Sequence, residues 1–288
     1  MRISPSTEKT MMHDQSNYAF VHGDALGSWV WDETIAALDR QTHGAFGRAL
    51  ALDAPGCGLK RSRAATELTL EDVATEFIED IERAGMEDVV LVGHSLGGQA
   101  MALMAELQPE LFRRLVYVSC LIPLPGQNVA QMMGTGLHGS NPDEVGYPLD
   151  PTCSDLNDRF AAMFCNDMEH QQAAAFLAKL GADAWPPQTY VFTDWRYDHL
   201  DHMPATYVLC LRDQSLPVEW QEVFASRFKV DEIVRVDAGH QVMNTRPEAL
   251  AEILRHETQR TPARDIRSRR STAANPQTSA GSCPTGPG

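Results

Sequence analysis

Ser95 stands in the string Gly93-His94-Ser95-Leu96-Gly97, directly after the apolar run Val89-Val90-Leu91-Val92. A Gly-x-Ser-x-Gly string alone often marks nothing more than a flexible turn. Between a buried strand and a helix it is the context a nucleophile elbow needs, because the glycines permit a sharp turn that exposes the serine hydroxyl at the strand's C-terminal end. The following helix also offers N–H groups there to a developing anion. The chemistry open to such a serine is attack on a carbonyl carbon.

A serine hydroxyl needs a base, and the base needs a third group to orient it. Of the ten histidines, His240 lies in Val236-Asp237-Ala238-Gly239-His240, just past the last apolar run and so at the sheet edge that bears Ser95. It is the expected base. His94 adjoins the serine, but side chains on a sharp turn diverge, so it is expected to pack or to orient. His22 ends the first strand and is expected to hold the following loop through a hydrogen bond. For the acid, Asp213 follows the strand at 205–211 by two residues, at the same edge. Asp237 is its rival, but three residues from His240 it reads better as a turn residue. Asp198 and Asp201 precede their strand and fall at the wrong end of the sheet. The order Ser95, Asp213, His240 is the Ser…Asp…His order of elbow folds.

Acyl transfer also needs donors for the oxyanion. The backbone N–H of Leu96, the residue after the nucleophile, is the first expected donor. The second is the N–H of Asp24, in the glycine-bearing loop His22-Gly23-Asp24-Ala25-Leu26-Gly27. An acidic side chain beside an oxyanion is unfavourable, so the Asp24 carboxyl is expected to turn away from the site.

Elements must bring these residues together. Apolar runs at 18–22, 48–52, 89–92, 115–118, 205–211 and 233–236 predict six strands. Trp31, Ile35 and Leu38 share one helix face, and Leu70, Val73, Phe77 and Ile81 share another. The latter helix opens on a Thr69–Asp72 capping box and is closed by Gly85, and a third helix spans about 96–107. Strands alternating with helices predict an α/β fold with a doubly wound, mostly parallel sheet. The run 89–92 has no alternation, as expected of a strand buried on both faces.

The segment at about 121–203 breaks the rhythm. It carries Met132, Met133, Phe160, Met163, Phe164, Phe176, Trp185 and Trp195, and a structureless loop of that length is implausible in a compact domain. A helical cap insertion over the end of the sheet is expected instead. The organisation read is a flexible N-terminus at 1–17, one domain at 18–257 and a disordered basic tail at 258–288.

The 288 residues hold 24 Lys+Arg against 39 Asp+Glu, a net charge of −15. That balance argues against nucleic acid or an anionic membrane as partner, and leans toward neutral small-molecule substrates. Cys57, Cys120, Cys153, Cys165, Cys210 and Cys283 are scattered without zinc spacing, so mostly structural, reduced thiols are expected. Asp198, His199, Asp201 and His202 could ligate a metal but read as a solvated loop. No metal or cofactor is called for. Neither an apolar leader nor a run of some 18 apolar residues is present, which makes the cytoplasm the expected location. No oligomeric state is read.

Taken together, residues 20–31, Asp53-Ala54-Pro55-Gly56-Cys57-Gly58, residues 92–98 and Asp237-Ala238-Gly239-His240 resemble the α/β-hydrolase superfamily. Within it the likeness is to the small serine esterases of the plant methylesterase and hydroxynitrile lyase group. The resemblance implies a Ser–His–Asp triad, a helical cap and no cofactor. The function it implies is cleavage of carboxylic esters of small to medium hydrophobic substrates through an acyl-enzyme. The chain departs from the group at Asp24, where relatives commonly carry a small or apolar residue. The lyases carry a threonine after the first-strand histidine and a lysine just after the base, where this chain has Gly23 and Gln241. A lyase, or a ligand receptor that keeps the fold without turnover, is the alternative expectation.

Overall fold

The computed structural model describes residues 16–259. The expected flexible N-terminus and basic tail, and Cys283, therefore lie outside the described residues apart from a few junction residues. Of those, Asn17 already belongs to the first strand, and Thr258 and Gln259 to the last helix.

Six strands, β1 (Asn17–Val21), β2 (Ala49–Leu52), β3 (Val89–His94), β4 (Phe112–Val118), β5 (Ala205–Cys210) and β6 (Glu232–Val236), form one sheet in the order β2-β1-β3-β4-β5-β6. Every neighbouring pair is parallel. The chain winds outward from β1 in one direction and from β3 in the other, so loops after the central strands open into one crevice at the C-terminal edge.

Both faces of the sheet are covered. Ala19, Val21, Leu91, Leu115, Tyr117, Tyr207 and Leu209 point to one side, against α2 (Leu70–Arg83), α3 (Gly97–Leu107) and α7 (Val218–Arg227). Tyr18, Phe20, Val90, Val92, Val116, Val118 and Val208 point to the other, against α1 (Asp32–Thr42), α8 (Val242–Thr245) and α9 (Pro247–Gln259). Central strands lined on both sides cannot alternate apolar with polar residues, which explains the unbroken run Val89–Val92. The box ahead of α2 is formed: the Asp72 N–H donates to Thr69 Oγ1 at 3.2 Å, and the Thr69 N–H donates to Asp72 Oδ2 at 2.8 Å.

Between β4 and β5 the chain holds α4 (Val129–Met133), α5 (Leu156–Phe164) and α6 (His170–Leu177), with short 3-10 turns. Their apolar side chains divide. Met132, Trp185 and Trp195 bury themselves in one core layer and Phe176 in the other. Asp183 ties this segment to the body, accepting from the Gly58 N–H at 2.8 Å and pairing with Arg61 at 2.8 Å. His199, weighed above as metal-capable, donates through Nε2 to the Ala102 carbonyl at 2.9 Å. Cys57, Cys120, Cys165 and Cys210 are buried free thiols, and Cys153 is an exposed one.

One close approach sets the site's geometry. A Cβ on Gly97 would lie 2.7 Å from the His22 carbonyl oxygen and 3.1 Å from that of Val21. Both obstacles are backbone, so neither can swing aside. Gly97→Ala is expected to lower stability by about 1–3 kcal/mol and to push the 22–27 loop away from the elbow. Urea unfolding and ester turnover of the variant check both effects.

Candidate active site

Five of the six strands deliver a polar residue to the C-terminal edge within three residues of their ends. His22 follows β1, Asp53 follows β2, Ser95 follows β3, Ser119 follows β4 and Asp213 follows β5; His240 lies four past β6. The parallel registers bring Ser95, Ser119, Asp213 and His240 side by side.

Ser95 has φ +51°, in the left-handed region that side chains other than glycine avoid. Two hydrogen bonds hold the turn, from the Ser95 N–H to the Val118 carbonyl and from the Leu121 N–H to the Ser95 carbonyl, each 3.2 Å. Strain of this kind persists only where the surroundings enforce it. Here it carries the hydroxyl out of the sheet and into a cavity that His240 also lines.

His240 Nδ1–H donates to Asp213 Oδ2 at 2.7 Å, with both side chains buried. The same oxygen accepts from the Ser119 hydroxyl at 2.5 Å, and Oδ1 accepts from the N–H groups of Ser215 at 2.7 Å and Leu216 at 2.9 Å. Four donors thus fix the carboxylate on all sides. With Nδ1 engaged, the Nε2 of His240 is the nitrogen free to take a proton. The imidazole is held between the Phe164 ring, stacked at 5.5 Å, and the His94 ring at 4.5 Å. Ser119 went unread in the sequence, since a serine after a β-branched run has no signature of its own.

The other two histidines are fully buried. His22 accepts the Ala54 N–H on Nε2 at 3.1 Å and so carries its proton on Nδ1, which donates to the Gly23 carbonyl at 2.8 Å. Trp185 Nε1–H donates to the same carbonyl at 3.0 Å. His94 Nε2–H donates to the His240 carbonyl at 3.0 Å, so it grips the backbone of the predicted base. Gly23 sits tightly beneath them: a Cβ there would meet His94 Nδ1 and Ser95 Cβ, each at 2.9 Å.

Burial lowers the pKa of both imidazoles; for His94 it falls well below the ordinary value, with His240 nearby adding to the effect. The folded protein therefore keeps them neutral where the unfolded chain would protonate them. Stability from this source is complete above about pH 6.5 and declines below it by up to about 1.4 kcal/mol per pH unit for each histidine. The decline stops once the folded-state values are reached. Urea unfolding at pH 8 and pH 5.5 measures it, and His94→Gln is expected to flatten the slope.

Asp24 corrects one expectation. Its backbone N–H and that of Leu96 have no partner among the described residues, as donors held for an oxyanion would. The carboxyl, however, does not turn away. It lines the cavity beside Ser95 and Leu96, accepts the Ala25 N–H on Oδ1 at 2.8 Å and is bonded by the Tyr190 hydroxyl. Tyr190, in the 3-10 turn Pro187–Tyr190, supplies the attraction that reverses the predicted direction.

The cavity measures about 400 Å³, within the roughly 300–1,000 Å³ of small-molecule sites. Leu121, Val129, Met133, Phe160, Met163, Phe164 and Leu216 give it a mainly apolar wall, and Tyr147 and Arg159 add polar groups. On α5 the lining residues Leu156, Arg159, Phe160 and Met163 fall at i, i+3, i+4 and i+7, one face of a helix.

The family model described as "Alpha/beta hydrolase family" matches residues 19–253. The chain belongs to that family. Among relatives of this α/β-hydrolase, polyneuridine aldehyde esterase of Rauvolfia serpentina is 26% identical over 83% of this chain and 94% of its own length. The carbendazim hydrolyzing esterase of Nocardioides sp. (strain SG-4G) is 28% identical over 83% and 98%. The likeness to the plant methylesterase group holds through Methylesterase 7 of Arabidopsis thaliana, 25% identical over 84% and 96%. A solved pyrethroid hydrolase from Sphingobium faniae JZ-2 superposes with a TM-score of 0.67 at 18% identity, covering 86% of this chain and 99% of that one. At that identity the superposition speaks for the fold.

Proposed function

We propose that this α/β-hydrolase is a serine esterase in which Ser95, His240 and Asp213 form the triad. The observation that carries the reading is the convergence of the His240–Asp213 pair and the strained Ser95 turn on one apolar cavity. Esterase relatives spanning most of the chain support it.

The chemistry closes on these groups. Ser95 Oγ bonds to the ester carbonyl carbon as its proton passes to His240 Nε2, and the carbonyl oxygen takes negative charge. The N–H groups of Asp24 and Leu96, which have no partner among the described residues, receive it. The carbon–oxygen bond to the alcohol then breaks, and His240 returns the proton to the leaving oxygen. Water, deprotonated by His240, attacks the acyl group, and the carboxylic acid leaves as Ser95 regains its proton. Asp213 keeps His240 in the tautomer with Nδ1 protonated and stabilises the imidazolium without taking the proton.

Cavity volume and lining favour esters of small to medium hydrophobic acids or alcohols. In the same reading residues 121–203 act as the cap that shapes specificity, and His22, Gly23 and His94 position the loops. No described helix is long and apolar enough to cross a membrane, and a cytoplasmic place for the enzyme remains part of the proposal. For cyanohydrin cleavage, the position after the base holds the buried amide of Gln241, which offers no cation to a leaving cyanide. An ester panel that varies acyl and alcohol parts separately, run with wild type and Ser95→Ala, tests the proposal. Turnover by the wild type alone is expected, and equal turnover by both would refute it.

A further inference from the structure

Ester hydrolysis does not call for a carboxyl group in the cavity wall, yet Asp24 puts one there. Its Oδ1 is occupied by the Ala25 N–H and the Tyr190 hydroxyl. Its Oδ2 has no protein partner among the described residues, and the side chain lines the cavity with Ser95 and Leu96. The residue is exposed, so the free oxygen is open to solvent and to a small molecule alike. Tyr190 keeps its proton, because burial and the neighbouring Asp24 both push its own pKa up.

The position makes this carboxyl consequential. A negative charge on the wall of the cavity in which the oxyanion forms opposes the transition state. An uncharged ester meets that opposition in full. A substrate carrying a cation near its carbonyl pairs with the carboxylate and brings positive charge toward the oxyanion as well. We propose that Asp24, braced by Tyr190, is a specificity-determining residue that selects esters bearing an ammonium group close to the scissile carbonyl. The inference rests on the reading of Ser95 as the nucleophile of an ester hydrolase.

Two further features agree. The protein's net charge of −15 draws cations toward it rather than anions. The cavity's guanidinium, Arg159, stands on α5 between the exposed Leu156 and the Phe164 that stacks on His240, and both it and Asp24 act on the Tyr147 hydroxyl. The Arg159 Nε is buried without a hydrogen-bond partner among the described residues. Within the cavity an ammonium group is therefore drawn to Asp24 and repelled by Arg159.

Asp24→Asn is the clean variant, because the amide keeps an oxygen for Ala25 and Tyr190 and removes only the charge. Two matched substrate pairs differ by one ammonium group: methyl 3-phenylpropanoate with methyl phenylalaninate, and propyl with 2-aminoethyl 3-phenylpropanoate. With the amines protonated, wild type is expected to prefer the ammonium ester in at least one pair. Asp24→Asn should lower that preference about 10- to 100-fold while raising kcat/KM for the uncharged member. A damaged fold cannot produce a gain of that kind. Wild-type turnover with a preference that Asp24→Asn leaves unchanged, or equal losses on both members of each pair, would overturn the inference alone. Turnover that survives in Ser95→Ala would overturn the hydrolase reading and this inference with it.

Discussion

Alanine at position 95 is expected to lower kcat/KM for short p-nitrophenyl esters by about 10⁴- to 10⁶-fold, as loss of a triad nucleophile does elsewhere. The fold should survive. The bonds that hold the turn run through the backbone, from the Ser95 N–H to the Val118 carbonyl and from the Leu121 N–H to the Ser95 carbonyl. Alanine keeps both and tolerates the left-handed φ about as poorly as serine does, so the urea midpoint should stay near that of the wild type. The residual rate would come from the cavity and the oxyanion donors alone. An inactive but equally stable variant separates a chemical role for Ser95 from a structural one.

Asp213→Asn is expected to cost about 10³- to 10⁴-fold in kcat/KM with little change in stability. The amide oxygen can keep the Ser215 and Leu216 N–H groups, but its NH2 then faces Nδ1 of His240. Two donors cannot share that contact. The imidazole must shift its proton to Nε2, the atom that has to accept from Ser95, and the base is held in the wrong tautomer. Asp213→Ala separates the two roles of the residue. It leaves the buried donors of Ser119, Ser215 and Leu216 without their acceptor, at about 1–3 kcal/mol for each group left unsatisfied. Activity should fall in both variants and the urea midpoint markedly in the alanine variant alone. Equal stability losses in the two would mean that the asparagine variant also distorts the loop.

Much of this architecture was legible because parallel strands buried on both faces leave a strong mark. The runs around Val89–Val92 and Ala205–Cys210 announce themselves, and the end of each strand fixes the edge at which Ser95, Asp213 and His240 must meet. What stayed hidden depends on pairing between distant segments. Ser119 reaches Asp213 because β4 and β5 are neighbours in register, with Val118 opposite Val208. Nothing local to Val118-Ser119-Cys120 encodes that. The direction of the Asp24 carboxyl differs from the expected one for a similar reason. Electrostatics at the oxyanion loop argues for turning outward, whereas the partner that draws it inward, Tyr190, lies 166 residues away in a segment without periodicity. The same segment mixed two kinds of apolar residue under one composition. Met132 and Trp185 are core, while Met133, Phe160 and Met163 face the cavity, and only the path of the chain separates them.

The account turns on Ser95 as the residue that carries the acyl group. Incubation with an activated fluorophosphonate, followed by peptide mapping of the adduct, examines this without any choice of ester. The account predicts one adduct per chain, on the peptide bearing Ser95, formed far more slowly in His240→Ala and absent in Ser95→Ala. An adduct on another residue, or labelling that persists undiminished in Ser95→Ala, would contradict it.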